Sequence, residues 1–495
     1  MIQHSTAHAS ASSSPPSSHG LNTHIGARES SSRVPRRRVD NQPPRHLPTR
    51  AMPPDALTTP HRGRISVSPD GAFVVVVDGA TASLARASSV REELGRAVAF
   101  DRDVVAVAWT RVGRVAAFAL EDGDVCAMRA TERDGLTSER WFRGVGAGRW
   151  GAGPLGDSQL RFERDGSDGN TTVIDVSTGE VAILTHARKG RDGSALETFA
   201  TSVDGRWMVF LTRDEDARER VEVFSTRAPY EGAITFRLPT TMDARAVAFS
   251  SGGEELLVFD DSCEATAEPG LEVFAADGTP RASIRGVTAP YVRMRDGIVA
   301  TSASRDAVVW IDEVTWRIAR VVTHPTTCEA TTSTRVYRQI DDGYEERNTY
   351  TQKTVSCDEF GVERVGVRIS LSPCETILAS TCAGHDDKVL FLWPARALEH
   401  DDAPLAIFLH SKPIVDFKWC RDDRVDGAAR LQFVCAGDAA VYSFVPGMLC
   451  PVRSALECAE FAPSKIIHAS AEPDALIIKG KGKTFVQQRF PLSVM

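Results

Sequence analysis

Along most of the chain an apolar run ends in a large residue, a small polar turn follows, and a second apolar run begins. The unit first occurs as Ile65-Ser66-Val67-Ser68-Pro69-Asp70-Gly71 ahead of Phe73-Val74-Val75-Val76-Val77. It returns as Val107-Ala108-Trp109 before Val115-Ala116-Ala117-Phe118, as Arg149-Trp150 before Gln159-Leu160-Arg161-Phe162, and as Ser202-Val203-Asp204-Gly205 before Trp207-Met208-Val209-Phe210. Further units end at Phe249, Met294, Leu371, Trp419 and Phe461. Counted from the large residue, the nine anchors fall near 67, 109, 150, 201, 249, 294, 371, 419 and 461, at intervals of 41 to 51 with one of 77. A third apolar run follows in several units, such as Val221-Glu222-Val223-Phe224 and Val389-Leu390-Phe391-Leu392-Trp393.

Runs this short and this apolar are strands covered on both faces. A fixed period of about 40–45 residues is that of four-stranded propeller blades. Asp-Gly at 70–71, 204–205 and 277–278 supplies tight turns between strands. The expected fold is therefore an all-β, WD-type β-propeller of about 7–9 blades over 64–495. Nine anchors exceed the usual 4–8 blades, so either one anchor is miscounted, which is the simpler reading, or the ring is unusually large. Trp109, Trp150, Phe249, Trp419 and Phe461 are expected as structural repeat anchors in the core. The interval of 77 marks an insertion at 326–364, polar and almost without aliphatic runs, and a loop of that length is functional or disordered. It is the first candidate for partner binding, around Tyr337, Tyr344 and Glu345.

The 495 residues carry a formal charge of -8, unevenly distributed. Residues 1–64 hold nine Arg against Glu29, Asp40 and Asp55, which leaves the remainder strongly acidic. An acidic body argues against a nucleic-acid groove as the main surface. Residues 1–63 are rich in Ser, Pro, His and Arg and too poor in aliphatic residues to offset ordering entropy. A disordered extension is expected there; an organellar transit peptide and a true start at Met52 remain open alternatives. No run of 18 apolar residues exists, and no apolar stretch of the kind found in secretory signals follows Met1.

Little in the sequence points to chemistry. The ten cysteines show no C-x-x-C pair, and Cys374/Cys382 and Cys450/Cys458, each eight apart, suit no common metal pattern. They are expected to be small buried hydrophobes. Gly146-Ala147-Gly148-Arg149-Trp150-Gly151 fits G-x-G-x-x-G but neither follows a strand nor opens a helix. Gly482-Lys483-Thr484 echoes the end of a phosphate-binding loop, but Ile477 stands where its first glycine belongs. His385-Asp386-Asp387 and His400-Asp401-Asp402 lie in connections and read as solvated charge. No G-x-S-x-G elbow occurs. No catalytic residue, cofactor or metal is expected, and the protein is read as a non-enzyme.

With the repeat in place, several stretches resemble the centrosomal WD-repeat proteins named for a gene lying antisense to a tumour-suppressor gene, which are spindle-pole proteins in fungi. Val314-Thr315-Trp316-Arg317, followed by His324-Pro325, is similar to the family's V-T-W-K strand and the H-P pair ahead of its own long insertion. Val336-Tyr337 and Tyr344-Glu345 look like its V-Y-K and Y-E marks. Pro413-Ile414-Val415-Asp416-Phe417-Lys418-Trp419 is similar to its P-V-R-A-F-Q-W, and Asp204-Gly205-Arg206-Trp207-Met208 to its D-G-R-Y-M. The resemblance runs in order over about 64–487, and it leaves 1–63 without a counterpart. It implies a scaffold in the cytoplasm and cytoskeleton, at the centrosome or spindle pole. That scaffold would anchor microtubule minus ends with a coiled-coil partner, sometimes with a minus-end-directed kinesin, and support spindle assembly. Two other classes remain: an adaptor of another large complex, such as a ubiquitin-ligase or translation-initiation assembly, and a propeller hydrolase or lyase with a site at the central channel.

Overall fold

Each apolar run becomes a strand, and consecutive strands pair antiparallel into separate small sheets. The computed structural model describes residues 45–46 and 61–489 except 88, 147–150, 164–170, 185–197, 214–217, 228–229, 231, 240–241, 261–268, 305, 332, 341–342, 352–367, 382–386, 397–401, 423–427, 447–450, 457–460, 470–474 and 481–483. Among these residues nine sheets follow one another along the chain. They span 64–99, 104–142, 151–184, 199–237, 244–285, 287–323, 369–409, 414–455 and 463–489, hereafter blades 1 to 9.

Within a blade the second and third strands are the unbroken apolar ones. In blade 6 these are Gly297–Ser302 and Ala307–Asp312, buried along almost their whole length, while the fourth strand, Arg317–Thr323, is largely exposed. The first strands of blades 2 and 3, 4 and 5, 6 and 7, 7 and 8, and 8 and 9 touch one another. The blades therefore converge on their first strands, which form the hub, and the fourth strands form the circumference.

Nine apolar clusters join nine blades, one at each junction. Phe73, Trp109 and Phe118 pack between blades 1 and 2; Phe142, Phe162 and Ile174 between 2 and 3; Leu155, Met208 and Tyr230 between 3 and 4. The pattern continues through blades 4 to 9. The ninth cluster, with Val74, Val90, Ile477 and Phe485, joins blade 9 back to blade 1. Blades 1 to 9 form a closed ring. The simpler reading, that one of nine anchors was miscounted, is thus corrected: with both faces of every blade covered, none is left over.

One anchor was misplaced within its blade, and the place of another is not described. Trp150 lies outside the described residues, and the first strand of blade 3 is Gly151–Pro154, after that position. Phe461 is buried in the cluster between blades 8 and 9 but precedes its strand, Pro463–Ala469, so Ile466 and Ile467 belong to the first strand of blade 9. An aromatic residue that fills a gap just before a strand looks, in sequence, like one that ends it. Trp109, Phe249 and Trp419 lie on first strands and are buried.

The turn after the first strand repeats in chemistry as well as spacing. In five blades a Ser or Thr hydroxyl accepts from the backbone N–H five residues on: Ser68 from Phe73 at 2.9 Å, Thr110 from Val115 at 3.3 Å, Ser202 from Trp207 at 2.9 Å, Ser250 from Glu255 at 3.2 Å and Ser372 from Ile377 at 3.0 Å. Such local side-chain bonds hold a tight turn. In four of these turns a glycine supplies the left-handed backbone: Gly71 at φ 71°, Gly113 at φ 73°, Gly205 at φ 69° and Gly253 at φ 75°.

The ring is closed by chain from before residue 64. His61–Arg62 pairs antiparallel with Thr484–Arg489 as the outermost strand of blade 9, and Arg45–His46 pairs with Val98–Ala99 on blade 1. The Gln487 amide ties the seam, accepting from Val90 N–H at 2.7 Å and donating to the Ala87 carbonyl at 3.0 Å. Apart from these two short strands and residues 63 and beyond, the disordered extension expected over 1–63 lies outside the described residues.

The insertion is not a polar loop over its first part. Arg335–Ile340 adds parallel to the fourth strand of blade 7, Ala406–Leu409, and Gly343–Arg347 adds antiparallel beyond it, so that blade 7 has six strands. Thr327–Glu329 and Thr349–Thr351 form a separate two-stranded ladder. Residues 352–364 lie outside the described residues. Sequence reasoning missed these strands because the alternation Val336, Arg338, Ile340 against Tyr337, Gln339 holds few aliphatics; they lie at the outer end of the blade, with Gly343–Arg347 as its edge strand, where polar residues are tolerated on one face.

Candidate protein interface

The residues that carried the family resemblance have definite mechanical jobs. At the turn into the fourth strand of blade 6, the Asp312 carboxylate accepts from the backbone N–H of Val314 at 3.1 Å and of Thr315 at 2.7 Å, and from the Thr315 hydroxyl at 2.7 Å. Hydrogen bonds led by that from Thr315 hold the Asp312 carboxyl below its ordinary range. Trp316 takes φ 51°, a strained backbone for a bulky residue. Its ring packs on the cluster between blades 5 and 6, and its indole N–H donates to Glu255 at 3.3 Å. Val314 at the tip is 87% exposed.

His324 follows the fourth strand of blade 6 and is buried, while Pro325 is half-buried. A chain of hydrogen bonds runs through it. The Trp393 indole donates to the Ser380 hydroxyl at 2.8 Å, that hydroxyl lies 2.8 Å from His324 Nε2, and His324 Nδ1 lies 2.7 Å from the Asp306 carbonyl. Ser380 already accepts from Trp393, so its proton points to Nε2, and Nδ1–H donates to Asp306. Phe391 and Trp393 stack beside the imidazole. Blades 6 and 7 are locked together by this relay, although the Trp-Asp dipeptide of typical repeats is missing.

One blade on, the same corner is built from different residues. His410 follows the fourth strand of blade 7 as His324 follows that of blade 6. Cys435 ends the second strand of blade 8 where Ser380 ends that of blade 7, and Tyr442 occupies the place of Trp393. Tyr442 sends its hydroxyl elsewhere, donating to Asp438 and accepting from Gln339 of the insertion at 2.9 Å. Arg453 pairs with Asp438 at 3.2 Å. Burial tends to raise the Asp438 carboxyl, but the bonds from Tyr442 and Arg453 outweigh it and the net shift is downward. Burial pushes the Cys435 thiol and the Tyr344 hydroxyl well up.

His410 Nδ1 lies 3.1 Å from both the N–H and the carbonyl of Lys412, and its Nε2 is buried without a hydrogen-bond partner. Burial lowers its pKa from 6.5 to about 4. Protonation is thus easier in the unfolded chain, and this site's contribution to stability is intact above pH 6.5 and is lost as pH falls towards 4. At 1.36 kcal/mol per unit, the loss is about 3 kcal/mol. Urea titrations at pH 7 and pH 4.5 are expected to show that His410→Asn removes most of this part of the acid sensitivity; an unchanged pH dependence in the variant rules the site out as its source.

The residues expected to meet a partner are mostly inside. Tyr337 is fully buried against Phe408 and Phe444, and Tyr344 packs on Phe408, His410 and Tyr442. Glu345 is exposed on the outermost strand and paired with Arg347 at 2.7 Å. Tyr337 and Tyr344 are therefore core residues of an enlarged blade.

An apolar surface instead lies at the rim between blades 5 and 6. Opposite residues of paired strands share a face. Ile318 stands opposite Ile311 and Val321 opposite Val309, both of the cluster facing blade 5. Across the gap, Ala282 and Ile284 of blade 5 belong to the same cluster. The cluster thus runs out to solvent at Ile318 and Val321, 44% and 48% exposed. Exposed apolar residues standing together mark interaction sites, and no sequence signal separated these two from their buried neighbours.

Of the motifs set aside in the sequence, Gly148, His385, Asp386, His400, Asp401, Gly482 and Lys483 lie outside the described residues. Among the described residues no group of three or more His, Cys, Asp or Glu is placed to hold a metal ion, and no helix is long and apolar enough to cross a membrane. Cys126, Cys420 and Cys435 are buried free thiols, and Cys328 and Cys374 are half-buried; burial raises Cys126 to about 12.

No family model matches the sequence, and no curated protein does. Solved structures with a similar arrangement include the Dos1 propeller, 12% identical, covering 78% of this chain and 92% of that one with a TM-score of 0.46. Sqt1 of Saccharomyces cerevisiae is 11% identical, with 88% and 97% covered and a TM-score of 0.46. The C-terminal WD40 domain of Sif2 is 11% identical, with 81% and 99% covered and a TM-score of 0.41. The assignment of this chain as a nine-bladed β-propeller stands on its own strand order and its nine closed junctions.

Proposed function

We propose that the protein is a non-catalytic propeller scaffold of the microtubule-organising centre or spindle pole. In this reading it anchors microtubule minus ends and supports spindle assembly by holding a coiled-coil partner, with a minus-end-directed kinesin as a further associate. The observation that carries the scaffold role is the apolar rim at Ile318 and Val321, beside the strained Val314-Thr315-Trp316 turn. A helix of a coiled coil presents apolar residues along one face, which suits a shallow apolar seam between two blades. The spindle-pole setting rests on the resemblance of 64–487, above all on the Val314-Thr315-Trp316 and His324-Pro325 pair.

The test is affinity purification of the tagged protein from dividing cells, with its position imaged in the same culture. A coiled-coil spindle-pole protein is expected to co-purify from the parent and to be lost from the Ile318→Asp/Val321→Asp variant, which should fold normally because both side chains are exposed. Recovery of a ubiquitin-ligase or translation-initiation assembly instead, with a diffuse signal, overturns the spindle-pole reading. Retention of every partner by the variant moves the interface away from this rim.

A further inference from the structure

Charge at the hub opposes charge on the rest of the body. The first strands converge on the ring axis, and from blade 5 round through blade 9 to blade 1 each carries or adjoins a cation: Arg245, Arg293, Arg368, Lys418, Lys465 and Arg64. By the same measure two anions lie among them, of the residues whose side chains are described: Asp243, which adjoins the first strand of blade 5 and lies 3.8 Å from Arg213, and Asp416. Asp416 is engaged, accepting from Arg368 at 3.2 Å and from the Ile466 N–H at 2.8 Å. The first strands of blades 2, 3 and 4, Val104–Trp109, Gly151–Pro154 and Phe199–Thr201, hold no charged residue. The hub therefore has a cationic arc over six consecutive blades and an uncharged arc over three, inside a chain whose residues beyond 64 are strongly acidic.

Two of the cations are tied across neighbouring first strands. Lys418 Nζ donates to the Ile467 carbonyl of blade 9 at 2.9 Å, and the Arg64 guanidinium donates to the Val105 carbonyl of blade 2. Both acceptors belong to residues that a bulge leaves out of the ladder. Arg245, Arg293, Arg368 and Lys418 are half-buried, Arg64 and Lys465 exposed. On the uncharged arc, Val107, Phe199 and Ala200 are half-buried. A wall of low-dielectric sheet edges lined by one sign of charge concentrates the field and draws in the opposite charge.

We propose that the hub binds an extended acidic peptide whose carboxylates alternate with apolar side chains. The cations are spread round six blades and do not converge on one point, so they match carboxylates dispersed along a chain better than a compact polyphosphate. The acidic outer body repels a uniformly charged nucleic acid, whereas a short segment presents anions to one arc and apolar groups to the other. In an extended strand successive side chains point to opposite sides, which gives the two-sided character required. This binding is independent of the rim between blades 5 and 6 and of any place in the cell.

The full chain would be titrated with a fluorescent peptide of about twelve residues alternating Glu and Val, long enough to cross a hub lined by strands of ordinary length. Saturable binding is expected at low salt, weakening as ionic strength rises, and falling at least about tenfold, a loss of about 1.4 kcal/mol, in Arg293→Glu/Lys465→Glu. Arg317→Glu, on the exposed fourth strand of blade 6, should leave it unchanged. A photo-crosslinking version of the peptide should label first strands. No binding to the parent, equal binding by the double variant when it melts as the parent does, or labelling confined to the circumference overturns the proposal. So does displacement of the peptide by inositol hexakisphosphate or single-stranded DNA at lower charge concentration.

Discussion

Excision of residues 326–364, with the ends rejoined by a short linker, is expected to unfold blade 7. The segment looks dispensable in sequence, yet Val336 and Tyr337 are fully buried and Tyr350 nearly so. Val336 and Tyr350 belong to the cluster between blades 6 and 7, and Tyr337 to that between 7 and 8. Its loss would also uncover Ile407 and Phe408 of the neighbouring strand. At about 1.5–3 kcal/mol for each large apolar side chain, the three side chains removed account for roughly 4–9 kcal/mol, before the two uncovered ones are counted. That is comparable to the net stability of a typical protein, about 5–15 kcal/mol. Insoluble or non-cooperatively melting protein is the expected outcome, and Tyr337→Ala alone should cost about 3–5 kcal/mol. A soluble excision variant melting within a few degrees of the parent would show that these strands are an ornament on blade 7.

Trp393→Ala is expected to have the largest effect of any single substitution, about 3–5 kcal/mol from the cavity alone. Trp393 is the largest of the fully buried side chains, and its removal also takes a donor from Ser380, which then has to satisfy its hydroxyl against His324 alone. Trp393→Phe should separate the two effects: it keeps most of the volume and loses the indole N–H, at about 1–3 kcal/mol. In a double-mutant cycle with Ser380→Ala, a coupling of about 0.5–3 kcal/mol is expected. Additivity within error would mean that the relay contributes nothing beyond packing. At the next corner, where Cys435 and Tyr442 replace Ser380 and Trp393, Cys435→Ser should be far milder, because Tyr442 already bonds to Asp438 and Gln339.

The repeat was legible because burial on both faces of a blade demands apolar second and third strands, and demand of that kind is written locally: Leu256-Leu257-Val258-Phe259 cannot be much else. The turn chemistry was legible for the same reason, since a hydroxyl bonding five residues on needs no distant partner. Blade number was visible as nine anchors and discounted, because closure is a property of the whole ring: the meeting of Val74 and Val90 with Ile477 and Phe485, with the Gln487 bonds beside it, shows that blade 9 covers blade 1. Tyr337 and Tyr344 misled because an aromatic residue in polar sequence reads the same whether it meets a partner or a neighbouring blade.

The sequence by itself thus determined the element type, the period and the turns, all of which depend on residues within about one repeat of each other. The tertiary structure decided the rest. It turned Arg335–Ile340 and Gly343–Arg347 of the insertion into strands of blade 7, and it set His324 in a satisfied relay and His410 in an unsatisfied one. It also brought Ile318 and Val321 to an open seam and gathered cations scattered from Arg64 to Lys465 round one axis. Each of those outcomes depends on which distant residue lies across a gap between blades, and that distance is fixed only when the ring closes.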